Sequence, residues 1–281
     1  MNIISKPLAI LIIIGSFIGG FLMEGGVLSS LWHPSELVII LGIAFGVFLA
    51  ATPVYVWGKT MVYLGRFFKG GRVNKKIYVE LLGLLDELSR LARAQGVLAL
   101  EAHITSPEDS SIFMNYPLIL KHRELKKFIV DNFSYLLLNP PQALDFKHYL
   151  EDQIHDIIHS MMEVPRATGK ISGLLPGFGI VAAVMGVILT MNLLGGDMDV
   201  AKIGSSIGAA LVGTLTGIFF SFAVVAPFTH ATEVMIRQDQ AIFEVAAAFL
   251  YAFSHGVSPS MAAEIGRQRI PPDFEIKRDG P

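Results

Sequence analysis

Residues 171–194 read ISGLLPGFGIVAAVMGVILTMNLL, a run with no charged side chain and a proline in its first turns. A helix needs about 20 apolar residues to cross the hydrocarbon core of a bilayer, and this run is long enough. A similar run, 203–228, follows a connection, 195–202, too short to be a domain, so the two form a helical hairpin. Residues 3–23 and 37–55 satisfy the same criterion. Lys6 lies near enough to an end to reach the headgroups, and Pro34 is tolerated in a helix's first turn. The apolar run 3–23 is long for a signal peptide and no small-x-small cleavage signal precedes Glu24, so it is read as a retained span. The predicted fold is therefore all-α: a polytopic membrane protein with four transmembrane helices and a helical cytoplasmic domain between the second and third.

Composition agrees. The chain is 52% hydrophobic and 16% charged, with mean hydropathy +0.55, which leaves too little polar surface to coat a soluble globule. A net charge of −2 without a clustered basic excess gives no reason to expect nucleic acid as a partner. Zero Cys excludes disulfides, thiolate metal sites and Cys nucleophiles. There is no Gly-rich phosphate loop and no serine nucleophile elbow, so an enzyme reading has no residues to rest on and no cofactor is expected.

Orientation follows from the cations, which are retained on the cytoplasmic side. The loop 24–36 has no Lys or Arg, and 195–202 has only Lys202. Lys59, Arg66, Lys69, Arg72, Lys75 and Lys76 follow the second span; Arg237, Arg267, Arg269, Lys277 and Arg278 follow the fourth. The expected organisation is a hairpin at 1–56, a cytoplasmic helical domain at 57–170, a hairpin at 171–228, and a cytoplasmic helix and tail at 229–281, with both termini inside. In the middle segment, Ile77, Leu81, Leu84, Leu85, Leu88, Leu91 and Ala92 share a helical face, leaving Glu80, Glu87 and Arg90 on another. Further helices are predicted over 118–138 and, after Pro140 and Pro141, over 142–164, with a turn at Ser106 and Pro107. Residues 233–253 read as a helix placed to continue the fourth span, and the last ten or so as loosely ordered.

Ion translocators usually keep an ionisable group inside the bilayer. The interiors of the four runs offer none, only hydroxyls and an amide: Ser16, Thr190, Asn192, Ser205, Ser206, Thr214, Thr216 and Ser221. Any carboxylate that binds an ion is then expected from another chain. Pro176 and Pro227 each remove a backbone donor, and antiparallel packing is expected to set them at one depth, as softened helix ends or as a paired hinge. Glycines four apart, such as Gly213 and Gly217, permit close helix packing, either within a hairpin or along an oligomer seam. His155 and His159, with Asp152 and Asp156, have zinc-compatible spacing but lack a third ligand, and read as a polar face opposite Ile154, Ile157 and Ile158.

The run 175–186, LPGFGIVAAVMG, with Val212-Gly213-Thr214 and Pro227 beyond it, resembles the flagellar motor stator A subunit, called MotA in proton-driven motors and PomA in sodium-driven ones, within the MotA/TolQ/ExbB superfamily. Arg93, Gly96, Leu100 and Glu101 resemble a motif of the family's cytoplasmic domain, and Glu36 to Ile40 after Pro34 resembles the start of its second span. The resemblance implies a ring of A subunits in the bacterial inner membrane, in contact with lipid. The ring would surround the helices of a B subunit that carries the ion-binding Asp and a peptidoglycan anchor. Ion flux would turn the ring, Arg93 and Glu101 would contact the rotor switch-ring protein, Pro176 and Pro227 would couple flux to conformation, and Thr214 would face the ion path. Sodium-type members carry Thr where Ala183 stands, so the resemblance favours H+ over Na+. Gly177 departs from the family, which has Ala there. The alternative is a related energiser of the ExbB or TolQ kind, or a gliding or defence motor, although the former have three spans and an outside N-terminus. A self-contained channel fits least.

Overall fold

The computed structural model describes residues 5–71, 73–138, 145–193 and 200–276. The start of the first predicted span, Arg72, residues 139–144 with Pro140, Pro141 and the start of the predicted helix 142–164, the connection 194–199 and the last residues, 277–281, lie outside them. The described residues are helical and contain no strand, as the periodicity predicts: this is an all-α polytopic membrane protein. Three helical stretches are long and apolar enough to cross a bilayer, and a shorter apolar helix covers Pro7–Met23. The chain divides into two compact units, residues 1–71 with 162–234, and residues 72–161 with 235–281.

The apolar unit begins with α1 (Ser5–Met23), a short 3-10 turn at Leu28–Leu31, and α2 (Pro34–Ala51). The second run ends earlier than its hydropathy suggests. Thr52 is extended (φ −127°, ψ 141°) because Pro53 disfavours helical backbone in the residue before it, and a separate helix, α3 (Val54–Lys69), starts after the proline. Thr52 Oγ1 donates to Phe48 O at 2.6 Å and accepts from Trp57 Nε1 at 2.9 Å, so the break is held by side chains. Ile40 and Ala44 of α2 pack with Leu175 and Ala182 in the buried core of this unit, and Phe17 of α1 meets Phe219 at 4.7 Å between ring centroids.

The polar unit is built on α4 (Lys75–Gln95), whose apolar face is buried as predicted except for Leu91, which is half-buried. Asn74 caps it, Oδ1 accepting from Ile77 N–H at 3.1 Å, and Gly96 (φ 88°) ends it with a backbone that side-chain-bearing residues avoid. Glu80 and Glu87 are not on a solvated face. Glu87 accepts from Tyr116 Oη at 3.0 Å, and Glu80 accepts from Leu118 N–H at 2.7 Å, satisfying the start of a short helix, α6 (Pro117–Lys121), which follows the five-residue α5 (Glu101–Thr105). The expected helix 118–138 is in fact α6 and α7 (Arg123–Leu138). His122 separates them, its Nδ1 accepting from Leu125 N–H at 3.3 Å as a cap. Burial and the Glu87 bond push the Tyr116 phenol up to about 12, and burial with Asp239 and Glu244 nearby pushes Tyr78 up to about 12.

Two long helices complete the chain. The predicted helix 142–164 and span 171–194 are one helix, α8 (Phe146–Leu193), which continues through Pro165 and Pro176. Then come α9 (Val200–Phe219), a π-helical stretch (Phe220–Val225) and α10 (Ala226–Ser254), which takes the fourth run onward as predicted. A last helix, α11 (Pro259–Arg267), was not foreseen. Ser258 caps it by accepting from Met261 N–H at 3.4 Å, and it packs on α4, where a Cβ built on Gly266 would lie 3.0 Å from Leu82 Cδ2.

Candidate ion-path site and rotor-facing residues

Glycines let α8 and α9 touch backbone to backbone. A Cβ built on Gly217 would lie 2.7 Å from Leu175 O and 2.9 Å from Gly179 Cα; one on Gly179 would lie 2.9 Å from Gly213 O and 3.2 Å from Thr214 Cα. The Gly213–Gly217 pair therefore serves packing within the chain. Two predicted site residues flank this crossing. Ala183 follows Ala182, whose Cβ would be 3.3 Å from a Cβ on Gly213, and Thr214 follows Gly213; both Ala183 and Thr214 are half-buried.

Pro176 stands one turn from Gly179 and is half-buried. Lacking an N–H, it leaves Ser172 O without its helical donor. Ser221 Oγ donates to that carbonyl at 2.7 Å, while Ser172 Oγ donates to Ser221 O at 3.0 Å. Both serines are buried, at 7% and 1% exposure. Ser221 lies in the π-helical stretch that precedes Pro227, a widened turn of the kind that forms where the normal ladder is interrupted.

The two prolines do not share a depth. Thr229 Oγ1 donates to Thr168 Oγ1 at 2.8 Å, so the register sets Pro227 beside Thr168 and Gly169, about two helical turns, roughly 11 Å at 1.5 Å per residue, from Pro176. Pro176 is level instead with Gly217 and Ser221. Pro227 is exposed. The offset arises because the hydroxyl bonds and glycine contacts fix the pairing, whereas distance from the loop alone cannot.

The apolar interior is not free of ionisable groups. Glu36 lies in the first turn of α2 and is 6% exposed, with its Oε2 2.5 Å from where a Cβ on Gly213 would stand. Gly213 is two residues from Leu215, the middle of the run 203–228, and about 20 Å along α9 from Val200 at 1.5 Å per residue. Residue-by-residue hydropathy began the second span at Leu37 and left Glu36 in the connecting loop. The signal available was Pro34, which starts a helix and so draws Glu36 inside it.

In the polar unit, Arg93 and Glu101 are both exposed. Arg93 Nη2 donates to Gly256 O, in the turn that ends α10, so its guanidinium also serves the chain's own structure. Arg90 is paired instead with Asp86 at 2.8 Å. Among the described residues no three His, Asp or Glu side chains group as metal ligands; His155 has Asp156 at 3.7 Å.

Residues 8–96 match the family described as motility protein A N-terminal, and residues 121–244 match the MotA/TolQ/ExbB proton channel family, a channel family rather than an enzyme family. The chain is similar to the chemotaxis protein LafT of Vibrio parahaemolyticus, 33% identical over 96% of this chain and 94% of that one. It is 32% identical to motility protein A of Salmonella typhimurium over 94% of this chain and 88% of that one. The fold is shared with a solved structure of C. jejuni MotAB (TM-score 0.74, 22% identity, 99% of this chain and 100% of that one). It is also shared with the flagellar MotAB stator complex from Bacillus subtilis (TM-score 0.64, 22% identity, 92% and 93%).

Proposed function

Because the chain belongs to the MotA branch of the MotA/TolQ/ExbB proton channel family and is a stator A subunit of the flagellar motor, we propose that it works as a proton-conducting ring in complex with a B subunit. The observation that carries this reading is similarity along nearly the whole chain, 33% identity over 96% of it, to a motility relative. In this reading the chain crosses the inner membrane four times, with both termini and the polar unit on the cytoplasmic side, the orientation that the distribution of Lys and Arg favours. The B subunit supplies an ion-binding Asp and an anchor to peptidoglycan. Proton flux past Ala183 and Thr214 turns the ring, and Arg93 and Glu101 meet the rotor switch ring, where charge steers and registers partners more than it adds affinity. Ala183 offers no hydroxyl to replace sodium's hydration shell, which favours H+. With Pro176 and Pro227 at different depths, coupling falls to Pro176 together with the Ser172–Ser221 exchange, and Pro227 acts through the π turn beside it. No enzymatic activity or cofactor is part of this reading.

The test is expression with and without the cognate B subunit in cells lacking stators, measuring swimming and cytoplasmic pH. Swimming and acid influx that both require B, and that persist when external sodium is replaced by potassium, support the reading. Flux from this chain alone would replace it with a channel, and B-dependent flux without motility would leave a sister ion-driven machine.

A further inference from the structure

We propose that Glu36 is a proton-accepting station on the translocation path, supplied by this chain itself and standing against Gly213, the neighbour in sequence of Thr214; this rests on the stator reading above. Three observations carry it. Glu36 is 6% exposed, and its Oε2 has no hydrogen-bond partner among the described residues. A carboxylate retained only for packing would have its oxygens satisfied, and an apolar side chain of similar size would cost less in this position. Ionisable groups at such a place persist for function.

The second observation is depth. Contact with Gly213 holds the carboxylate near the middle of the apolar run, one residue from Thr214 and against the crossing of α8 and α9. The third is the surroundings. His33, which precedes α2, has a buried Nδ1 that also lacks a partner among the described residues. It is the one titratable neighbour on Glu36's own element. Facing α9 presents Gly213, against which Ala182 of α8 also packs; residues 171–191 of α8 and 203–219 of α9 contain no ionisable group, and Lys202 stands in the first turn of α9. The 3-10 turn packed on α9 carries Ser29 and Ser30. Among the described residues no Lys or Arg pairs with Glu36, and His33 is the nearby group that can become a cation. Glu36 can take a proton from a hydronium ion arriving from outside, which leaves water, and release it inward, cycling between carboxylate and neutral acid.

The wild-type complex with its B subunit is compared with Glu36→Gln and Glu36→Asp in stator-less cells, reading acid influx, swimming, membrane abundance and co-purification with B. Glu36→Gln is expected to assemble normally and lose at least tenfold in influx, while Glu36→Asp keeps a third or more. Normal influx in an assembled Glu36→Gln complex overturns the proposal. A second readout needs no variant. A hydrophobic carbodiimide adds across the protonated carboxyl to give an N-acylurea, with nothing leaving. Mapping by mass spectrometry is expected to find Glu36 labelled, more strongly as pH falls. An unlabelled Glu36 overturns the proposal even if Glu36→Gln fails to assemble. A wild-type complex that conducts no protons would instead defeat the stator reading, and so the two failures are distinguishable.

Discussion

Ser221 Oγ donates at 2.7 Å to Ser172 O, the carbonyl that Pro176 leaves without a helical N–H. In a bilayer an unpaired backbone carbonyl has no water to turn to, so the proline is tolerated because the neighbouring helix answers it. The return bond, Ser172 Oγ to Ser221 O at 3.0 Å, reaches a carbonyl in the π-helical stretch, and thus each helix repairs or engages the irregular segment of the other.

Ser221→Ala is expected to destabilise the purified complex by about 1–2 kcal/mol, the usual cost of stranding a buried acceptor. In a Pro176→Ala background the restored N–H should reduce that cost to a few tenths. Melting of the four variants in detergent forms a double-mutant cycle. An equal penalty in both backgrounds would show that Ser221 does not compensate for the proline.

Glycine substitutions should separate sharply by position. Gly217→Ala drives a methyl toward Leu175 O and should cost about 1–3 kcal/mol through overpacking, with loss of swimming. Gly177→Ala meets nothing within 4 Å and should be neutral or favourable by up to about 1 kcal/mol. Membrane abundance and swimming speed check both, and a benign Gly217→Ala would mean that the helices are less close than described.

Arg93 and Glu101 should part company in a stability measurement. Arg93→Ala loses the bond to Gly256 O and should lower the melting point slightly, about 1 kcal/mol or less for an exposed bond, as well as weaken torque. Glu101→Ala should weaken torque alone. If neither changes torque in tethered-cell rotation, these residues are not at the rotor contact.

Alkaline pH should loosen the polar unit. Tyr78 and Tyr116 hold their protons to about 12 in the folded chain, above the ordinary value of 10.0. Between those values the unfolded chain releases protons that the folded one keeps, so stability present below pH 10 falls as pH rises toward 12. Tyr116→Phe should flatten part of that fall in melting curves taken from pH 9 to 12. An unchanged slope would remove Tyr116 as its source.

Much of this was open to reading in the sequence, because apolar run length and helical periodicity are local properties. The run 171–194 and the α4 face behave as their patterns indicate. What escaped depends on contacts between distant residues. The depth of Pro227 is set by Thr168 and Thr229, and the burial of Glu36 by Gly213, neither of which a hydropathy window weighs. The acids Glu80 and Glu87 looked solvated because Tyr116 and Leu118, their partners, lie far along the chain. The break at Pro53 was legible in principle and was masked by the apolar residues around it.

The contact of Gly179 with Gly217 also bears on stiffness. Where two helices meet through their backbones there is no intervening layer of side chains to change rotamer and absorb a displacement. A push applied near the crossing should therefore be transmitted rather than damped, with compliance concentrated in the widened turn at Phe220–Val225.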